Sequence, residues 1–159
     1  MIKHWSTLAA AIMLALCIAA STLRANSGAA DLQSRIQSAE AFYERSEYTR
    51  AAELFGELVA LNPSYGRISH LLIMEAKSRY YAGEHEHATQ LFERLIANGK
   101  SSSSDPACYY FLGRIAFDRD DYPESAEHFV RAFDLTKDPE LKNICYSNCL
   151  SLCIGYLSF

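Results

Sequence analysis

From residue 31 to the C-terminus, apolar residues recur every three or four positions, the spacing that places them along one face of an α-helix. No stretch in this region alternates apolar and polar residues with the period of two that a β-strand requires. The pattern therefore predicts an all-α domain. Its seven predicted helices span residues 31–45, 48–61, 67–82, 85–98, 106–118, 122–135 and 139–157. Six of them form three helical hairpins, and the last helix is unpaired.

Proline residues mark several of the predicted helix ends. Asp105 and Asp138 each precede a proline, so each supplies a capping carboxylate followed by a residue suited to the first helical turn. Pro123 lies at the start of another predicted helix, whereas Asn62 precedes a proline that ends the first hairpin. Turn signals therefore divide the chain at the same places as the periodicity.

The same residue types return three times at a separation of 37 residues. Small residues occupy two of the repeated positions and aromatic residues the other two: Ala39, Ala76 and Gly113; Ala51, Ala88 and Ser125; Tyr43, Tyr80 and Phe117; Phe55, Phe92 and Phe129. Small side chains let the two helices of a hairpin approach closely, and the phenylalanines one turn later would fill the space between hairpins. Such a repeat predicts stacked units that present an extended surface for partners.

With these residues the chain resembles the tetratricopeptide repeat family. The resemblance is carried by Tyr109, Leu112, Gly113, Tyr122, Ser125, Phe129 and Ala132 in the third unit, by Ala39, Phe42, Tyr48, Ala51, Phe55 and Pro63 in the first, and by Leu72, Ala76, Gly83, Ala88 and Phe92, with His85 replacing a tyrosine, in the second. It implies a right-handed superhelical stack of antiparallel helix hairpins, with repeats at 32–66, 67–103 and 106–138 and a half repeat at 139–159. Because the family repeat is about 34 residues long, the wider spacing here predicts longer loops near residues 64–67 and 101–104.

Composition, charge and short motifs give no support for a nucleic-acid-binding protein or an enzyme. Half of the 159 residues are apolar, which is enough for one domain with a continuous core. A net charge of −4 gives no indication of nucleic-acid binding. The sequence has no Gly-rich phosphate loop, nucleophile elbow or distinctive pair of catalytic carboxylates. His85 and His87 would diverge on a helix and do not form a metal site, so we predict no enzymatic activity, no cofactor and no metal.

The first 25 residues differ in character from the rest. Lys3 precedes an apolar run, and small residues follow it, as in a secretory signal peptide. Two alternatives remain open. One is an uncleaved membrane anchor, since residues 5–23 carry no charge; the other is lipid attachment at Cys17, whose preceding residues resemble a bacterial lipoprotein signal. The prediction is a signal peptide at 1–25, a linker at 26–30 and a repeat domain at 31–159, exported to the periplasm or another extracytoplasmic compartment.

In tetratricopeptide repeats the first helix of each hairpin lines a concave groove, and the resemblance implies such a groove here. It would be aromatic with two central cations, formed by Tyr43, Ile73, Lys77, Tyr80, Tyr81, Tyr110, Arg114 and Phe117, with Ile36, Glu40 and Asp118 beside them. Tyr, Phe and Arg dominate the energetics of many interfaces, so the expected ligand is an extended peptide or a helix of a partner protein. Any single aromatic could instead pack in the core.

One ligand class is not expected. Family members that hold the acidic C-termini of chaperones use a clamp of Lys, Asn and Arg, and the corresponding places in the first unit are Ile36 and Glu40. An acidic residue facing the groove would repel a terminal carboxylate.

The four cysteines of the predicted domain give no disulfide. Cys108 and Cys145 would sit at matching positions on helices whose axes are about 8–10 Å apart, which is too far for a bridge. Cys149 and Cys153 lie one turn apart on one helix, in the places of core residues of the third unit, and are predicted to be small core residues.

The last predicted helix is apolar on nearly all sides, and its large residues include Ile144, Tyr146, Leu150, Ile154 and Leu157. Burying each such side chain is worth roughly 1.5–3 kcal/mol, so we expect something to cover the helix. One hypothesis is an interface, with a second copy of the chain or with another protein. The other is that the chain is a truncated piece of a longer repeat protein.

Together these features predict a non-catalytic scaffold or adaptor of the cell envelope that binds a protein or peptide. The alternative is the N-terminal repeat region of a longer envelope enzyme or transport-associated protein. Contact with a membrane is expected only through the N-terminal segment, if that segment is retained.

Overall fold

The computed structural model describes residues 30–64, 66–98 and 105–157, with the backbone alone at residues 98 and 154–157. The predicted signal peptide lies outside this part of the chain, as does the linker up to residue 29. The described residues contain no strand and seven helices: α1 at residues 30–44, α2 at Tyr48–Leu61, α3 at Ile68–Tyr81, α4 at His85–Asn98, α5 at Pro106–Asp118, α6 at Tyr122–Leu135 and α7 at Pro139–Leu157. Each begins and ends within one residue of its predicted bounds, so the all-α prediction is confirmed.

The chain divides into two compact units, Met1–Ser38 and Ala39–Phe159, with the boundary inside α1. In the first unit, residues 30–38 are helical. In the second unit, each helix from α2 to α7 packs against the next, and α3 also contacts α5. This second unit is the predicted stack of helix hairpins.

The three hairpin turns share one backbone conformation at 37-residue spacing. The residues with positive φ are Ser46, Gly83 and Asp120, at 62°, 81° and 62°. In each turn this residue donates its N–H to the carbonyl three positions back, and the following residue donates to the carbonyl five positions back, all at 2.9–3.0 Å. This pair of hydrogen bonds closes the C-terminus of the first helix around a left-handed residue. The repeat is therefore present in the hydrogen bonds as well as in the sequence.

Aspartate side chains cap the N-termini of two later helices at the positions that the Asp-Pro pairs predicted. The Asp105 carboxylate accepts a hydrogen bond from the N–H of Ala107 at 2.9 Å, and Asp138 accepts one from the N–H of Glu140 at 3.0 Å. These bonds satisfy N–H groups that have no partner within the helix. The capping acid and the adjacent proline thus set the start of α5 and α7.

The repeated small residues lie where the two helices of a hairpin cross. A Cβ on Gly113 would lie 2.9 Å from Cδ1 of Phe129, which is closer than packed atoms approach. Ser125 donates its hydroxyl to the carbonyl oxygen of Gly113 at 2.9 Å. Phe129 is fully buried against its own hairpin, whereas Phe92 stacks on Phe111 of the next hairpin with ring centroids 5.5 Å apart. The aromatic positions thus pack within hairpins as well as between them.

The longer connections lie between hairpins. Residues 62–67 separate α2 from α3, and residues 99–105 separate α4 from α5, whereas the turns within hairpins have three residues. The described helices include none that is long and apolar enough to cross a bilayer.

The cysteines of α7 correct one prediction. Cys145 is fully buried, but Cys149 is half-buried and Cys153 is exposed, so the latter two are not core residues. Their equivalents in α5 are covered by α6, whereas α7 is the last described helix and packs against α6 on one side. Cys108 and Cys145 are free thiols, as predicted. Burial raises the pKa of Cys108 to about 12 and that of Cys145 to about 11, which keeps both protonated at neutral pH.

The substitution Gly83→Ala tests the turn geometry. An added Cβ would meet no neighbouring atom within 4 Å, so its cost comes from the left-handed backbone alone. We expect the free energy of unfolding to fall by about 1–2 kcal/mol in urea denaturation. The matched control is Gly66→Ala, since Gly66 also has open space around it but has no positive φ. Its expected change is within about 0.5 kcal/mol, and equal losses in the two variants would contradict the assignment.

Candidate binding surface

The repeat register arranges equivalent residues in rows across the first helices of the hairpins. Within the second unit these rows are Ile73 and Tyr110; Glu40, Lys77 and Arg114; and Tyr43, Tyr80 and Phe117. The predicted groove residues therefore come from α1, α3 and α5 and recur at fixed steps. Ile36, which was predicted beside them, is buried.

Aromatic rings form an unbroken run of contacts across these three helices. The ring of Tyr43, near the end of α1, lies 6.1 Å from that of Tyr81 at the end of α3, centroid to centroid. Tyr81 lies 5.1 Å from Tyr80 and 5.8 Å from Phe111 of α5, and Phe111 lies 5.2 Å from Tyr110. All four pairs meet edge to face, the arrangement in which ring quadrupoles attract. The run links three consecutive hairpins.

A residue from a second helix joins this run. Tyr48, at the start of α2, stacks on Tyr81 at 5.0 Å and lies 5.4 Å from Tyr43. Equivalent ring pairs occur across the next two turns, as Tyr80 with His85 at 5.3 Å and Phe117 with Tyr122 at 5.8 Å. His85 therefore has a packing role, in the place of a tyrosine.

Lys77 lies over the run of rings. Its Nζ is 5.9 Å from the centre of the Tyr43 ring on α1 and 5.7 Å from that of Phe111 on α5. These distances allow cation–π attraction to both rings. Lys77 is half-buried. One positive charge of the second hairpin is thus held between aromatic residues of the first and third hairpins.

Arg114 provides a second charge on the same run. Its guanidinium carbon is 5.8 Å from the centre of the Tyr80 ring, and its Nη1 donates to the hydroxyl of Tyr110 at 3.2 Å. Burial opposes the charge, but the hydrogen bond to Tyr110 leaves the pKa of Arg114 above its usual value. Burial raises the pKa of Tyr80 to about 12, because it disfavours the charged phenolate. The nearby charge of Arg114 lowers this pKa, whereas Asp118, which accepts a 3.3 Å hydrogen bond from Tyr80, raises it further. The surface therefore carries fixed positive charge beside a neutral phenol.

Comparison with known sequences identifies the repeat. Residues 73–138 match the sequence profile of the tetratricopeptide repeat. The chain contains tetratricopeptide repeats. No curated protein sequence matches it significantly.

Solved structures share the fold of this tetratricopeptide repeat protein at low sequence identity. PcrH from Pseudomonas aeruginosa is 15% identical with a TM-score of 0.66, over 77% of this chain and 91% of PcrH. The Yersinia enterocolitica type III secretion chaperone SycD, solved with a peptide of the translocator YopD, is 15% identical with a TM-score of 0.65, over 79% of this chain and 94% of SycD. The Sgt2 TPR domain from Aspergillus fumigatus is 17% identical with a TM-score of 0.61, over 79% of each chain.

The structure divides the predicted groove residues of this repeat protein into two groups. Tyr80 is buried, with 7% of its surface exposed. Ile73 and Tyr110 are partly buried and pack against the core cluster of α3, α4 and α5, but only Tyr110 belongs to the run of rings. Phe117 is exposed, but its ring contact is with Tyr122 of its own hairpin. The connected and accessible residues are named here the aromatic face: Tyr43, Tyr48, Lys77, Tyr81, Tyr110 and Arg114.

Two contributors to this region are absent from the sequence-based groove. Tyr48 could have been found, because it lies 37 residues before His85 and 74 before Tyr122. Each of those two residues forms the equivalent ring pair in its own hairpin. Phe111, which joins α3 to α5, gives no such signal. It follows Tyr110 directly, and only the packing of the helices brings its ring against Tyr81.

At the apolar end of the repeat protein, three of the five predicted interface residues are exposed. Ile144, Tyr146 and Leu150 are exposed to 40%, 57% and 44%, while the side chains of Ile154 and Leu157 lie outside the described part. Beside them α6 and α7 form a crevice of about 380 Å³, which is lined by Val130, Phe133, Asp134, Tyr146 and Cys149. Across the described chain, no three His, Cys, Asp or Glu side chains form a group that could hold a metal ion.

Proposed function

We propose that the protein is a non-catalytic adaptor that binds an extended peptide or a helix of a partner protein on the aromatic face. The observation that carries this proposal is the unbroken run of ring contacts from Tyr43 through Tyr81 to Tyr110, which crosses three hairpins. A ligand lying across the first helices would meet aromatic side chains at each step. The coarser function, a protein-interaction module, agrees with the repeat family and with the peptide complex of SycD.

The residue types on this face suit an interface that binds by side-chain burial. Tyr and Arg combine a large apolar area with a polar tip, and both are enriched among residues that dominate binding energies. Here the rings already hold one another in place, and Tyr81 remains 44% exposed. Side chains that are ordered before binding lose less conformational freedom when the ligand arrives. The face is therefore preorganised for binding.

We place this activity outside the cytoplasm. The support is the basic residue, apolar run and small residues of the first 25 positions, which have the order of a secretory signal. Expression of the full chain with its natural N-terminus should yield an exported protein that has lost about 20–25 residues, as measured by intact mass. Recovery of the unprocessed chain from the cytoplasm alone would contradict this assignment.

Two adjacent tyrosines of α5 allow a matched test of the aromatic face. Peptides would be selected from a displayed random library, and their affinities measured by fluorescence anisotropy. We expect Tyr81→Ser and Tyr110→Ser each to weaken the binding of the selected peptides by about tenfold or more, since each substitution removes a ring from the aromatic face. The control is Tyr109→Ser, because Tyr109 lies against His128 and Arg131 of α6. Equal affinities for all variants that remain folded by circular dichroism would refute the site.

We also propose that the apolar end of the protein contacts a second copy of the chain. The same surface offers protruding side chains, at Tyr146 and Leu150, and the crevice between α6 and α7. A two-fold contact requires a patch to complement itself, and a patch with both features meets that requirement. A second copy would bury the side chains that are now exposed.

Light scattering coupled to size-exclusion chromatography tests this contact. We expect a dimer whose dissociation constant rises at least about tenfold in Leu150→Glu, because a charge would then have to be buried at the interface. Ser151→Glu is the control, since Ser151 is an exposed polar residue of the same helix. A monomer at all concentrations, or equal weakening by both substitutions, would rule the contact out.

A further inference from the structure

One row of equivalent repeat positions carries charge in a fixed order. Glu40, Lys77 and Arg114 occupy the same repeat position on α1, α3 and α5, so the row reads negative, positive, positive. The acidic residue stands at one end, and the two cations follow on consecutive hairpins. A ligand that crosses the hairpins would meet these charges one after another.

Both cations are held over aromatic rings. Lys77 lies between Tyr43 of α1 and Phe111 of α5, and Arg114 lies over Tyr80 of α3. Each is half-buried among rings, so water screens their charges less than it would on an open surface. A ligand with two negative groups can therefore be attracted by both charges.

These cations differ from the arginine next to them on α3. Arg79 is paired with Glu75 at 3.1 Å and with Glu84 at 2.6 Å. By contrast, no carboxylate among the described residues lies within ion-pairing distance of Lys77 or Arg114, whose contacts are with rings and a phenol hydroxyl. Asp118 acts electrostatically on Arg114, but its hydrogen bond is with Tyr80. The positive charge of the face is therefore available to a ligand.

The spacing of the row sets the spacing of its ligand. Packed helices lie about 8–10 Å apart, and a segment in the polyproline II conformation advances about 3.1 Å per residue with three residues per turn. One step from hairpin to hairpin therefore corresponds to about three residues of such a ligand, and residues three positions apart point to the same side.

We infer that the aromatic face recognises a segment of a partner protein in the polyproline II conformation that carries two acidic side chains three positions apart. One acidic side chain pairs with Lys77 and the other with Arg114, while the intervening residues lie against the tyrosines. The position that faces Glu40 is basic or neutral, because an acid there would be repelled. Recognition requires no terminal carboxylate, because both cations pair with side chains. This inference rests on the proposed function of the face and specifies its ligand.

Synthetic peptides test this assignment directly. The probes are fluorescent, N-acetylated and C-amidated peptides with one Glu at position i and a second at i+1, i+2, i+3 or i+4, and with Tyr, Ser and Val elsewhere. We expect the i, i+3 probe to bind the full chain most tightly. Its affinity should fall by at least about fivefold when both Glu are replaced by Gln. Lys77→Gln and Arg114→Gln should each weaken binding by a similar factor, and added salt should reduce the difference between the Glu and Gln probes.

Charge reversal provides a second, independent measurement. Glu40→Lys extends the cationic row, so it should strengthen binding of a probe with three Glu residues at three-position spacing by about fivefold. The double variant Lys77→Glu/Arg114→Glu should prefer the same two-charge probe with Lys in place of Glu. This gain of binding cannot arise from a loss of folding.

The outcomes separate this inference from the proposed function. If Glu and Gln probes bind equally while Tyr81→Ser still abolishes binding of selected peptides, the face binds peptides but the acidic pair is wrong. If the tyrosine variants have no effect on any peptide, the proposed function fails and the inference fails with it. A preference for another spacing would overturn the three-position assignment.

Discussion

The close approach of two helices within each hairpin is the constraint on which the rest of this structure depends. At Gly113 the backbone of α5 lies so near Phe129 that even one additional carbon would have no room. The hydroxyl of Ser125 then reaches the Gly113 carbonyl, and a polar side chain is buried with its hydrogen bond satisfied. Because packed interiors have few voids, this contact fixes the offset between the helices.

That offset is passed to the surface through the turns. Each turn closes with the same two hydrogen bonds around a left-handed residue, so the second helix always leaves in the same direction. A ring pair then spans each turn, as Tyr80 and His85 do in the second hairpin. Since the hairpins repeat, so do the positions of the first-helix side chains. The rows of the aromatic face are a consequence of packing that takes place beneath them.

The same fold can therefore carry different surfaces. PcrH, SycD and the Sgt2 domain share it at identities of 15–17%, which leaves most surface residues different. Residues such as Gly113 and Phe129 maintain the stack, whereas Lys77, Tyr81 and Arg114 lie outside the helix crossings, on the candidate binding surface. Function in such a protein depends on those residues and has to be argued from them.

The sequence by itself determined the helices, their bounds to within one residue, and the positions of the crossings, because these depend on local signals. Periodicity, a capping aspartate before proline, and a small residue at each 37-residue step act over a few turns of chain. It also indicated which helix faces would carry aromatic and charged residues. It could not separate Tyr80 from Tyr81, neighbours of the same type, of which one is buried and the other exposed.

Only the tertiary structure decided that distinction, and with it the composition of the binding surface. Exposure depends on what the next hairpin places over a side chain, and contacts between residues 30 or more positions apart have no local signature. Phe111 joins the run of rings through such contacts, and Cys149 and Cys153 are left at the surface because α7 packs on one side only. The repeat predicts where the units lie, but the packing between units determines which of their residues a partner can reach.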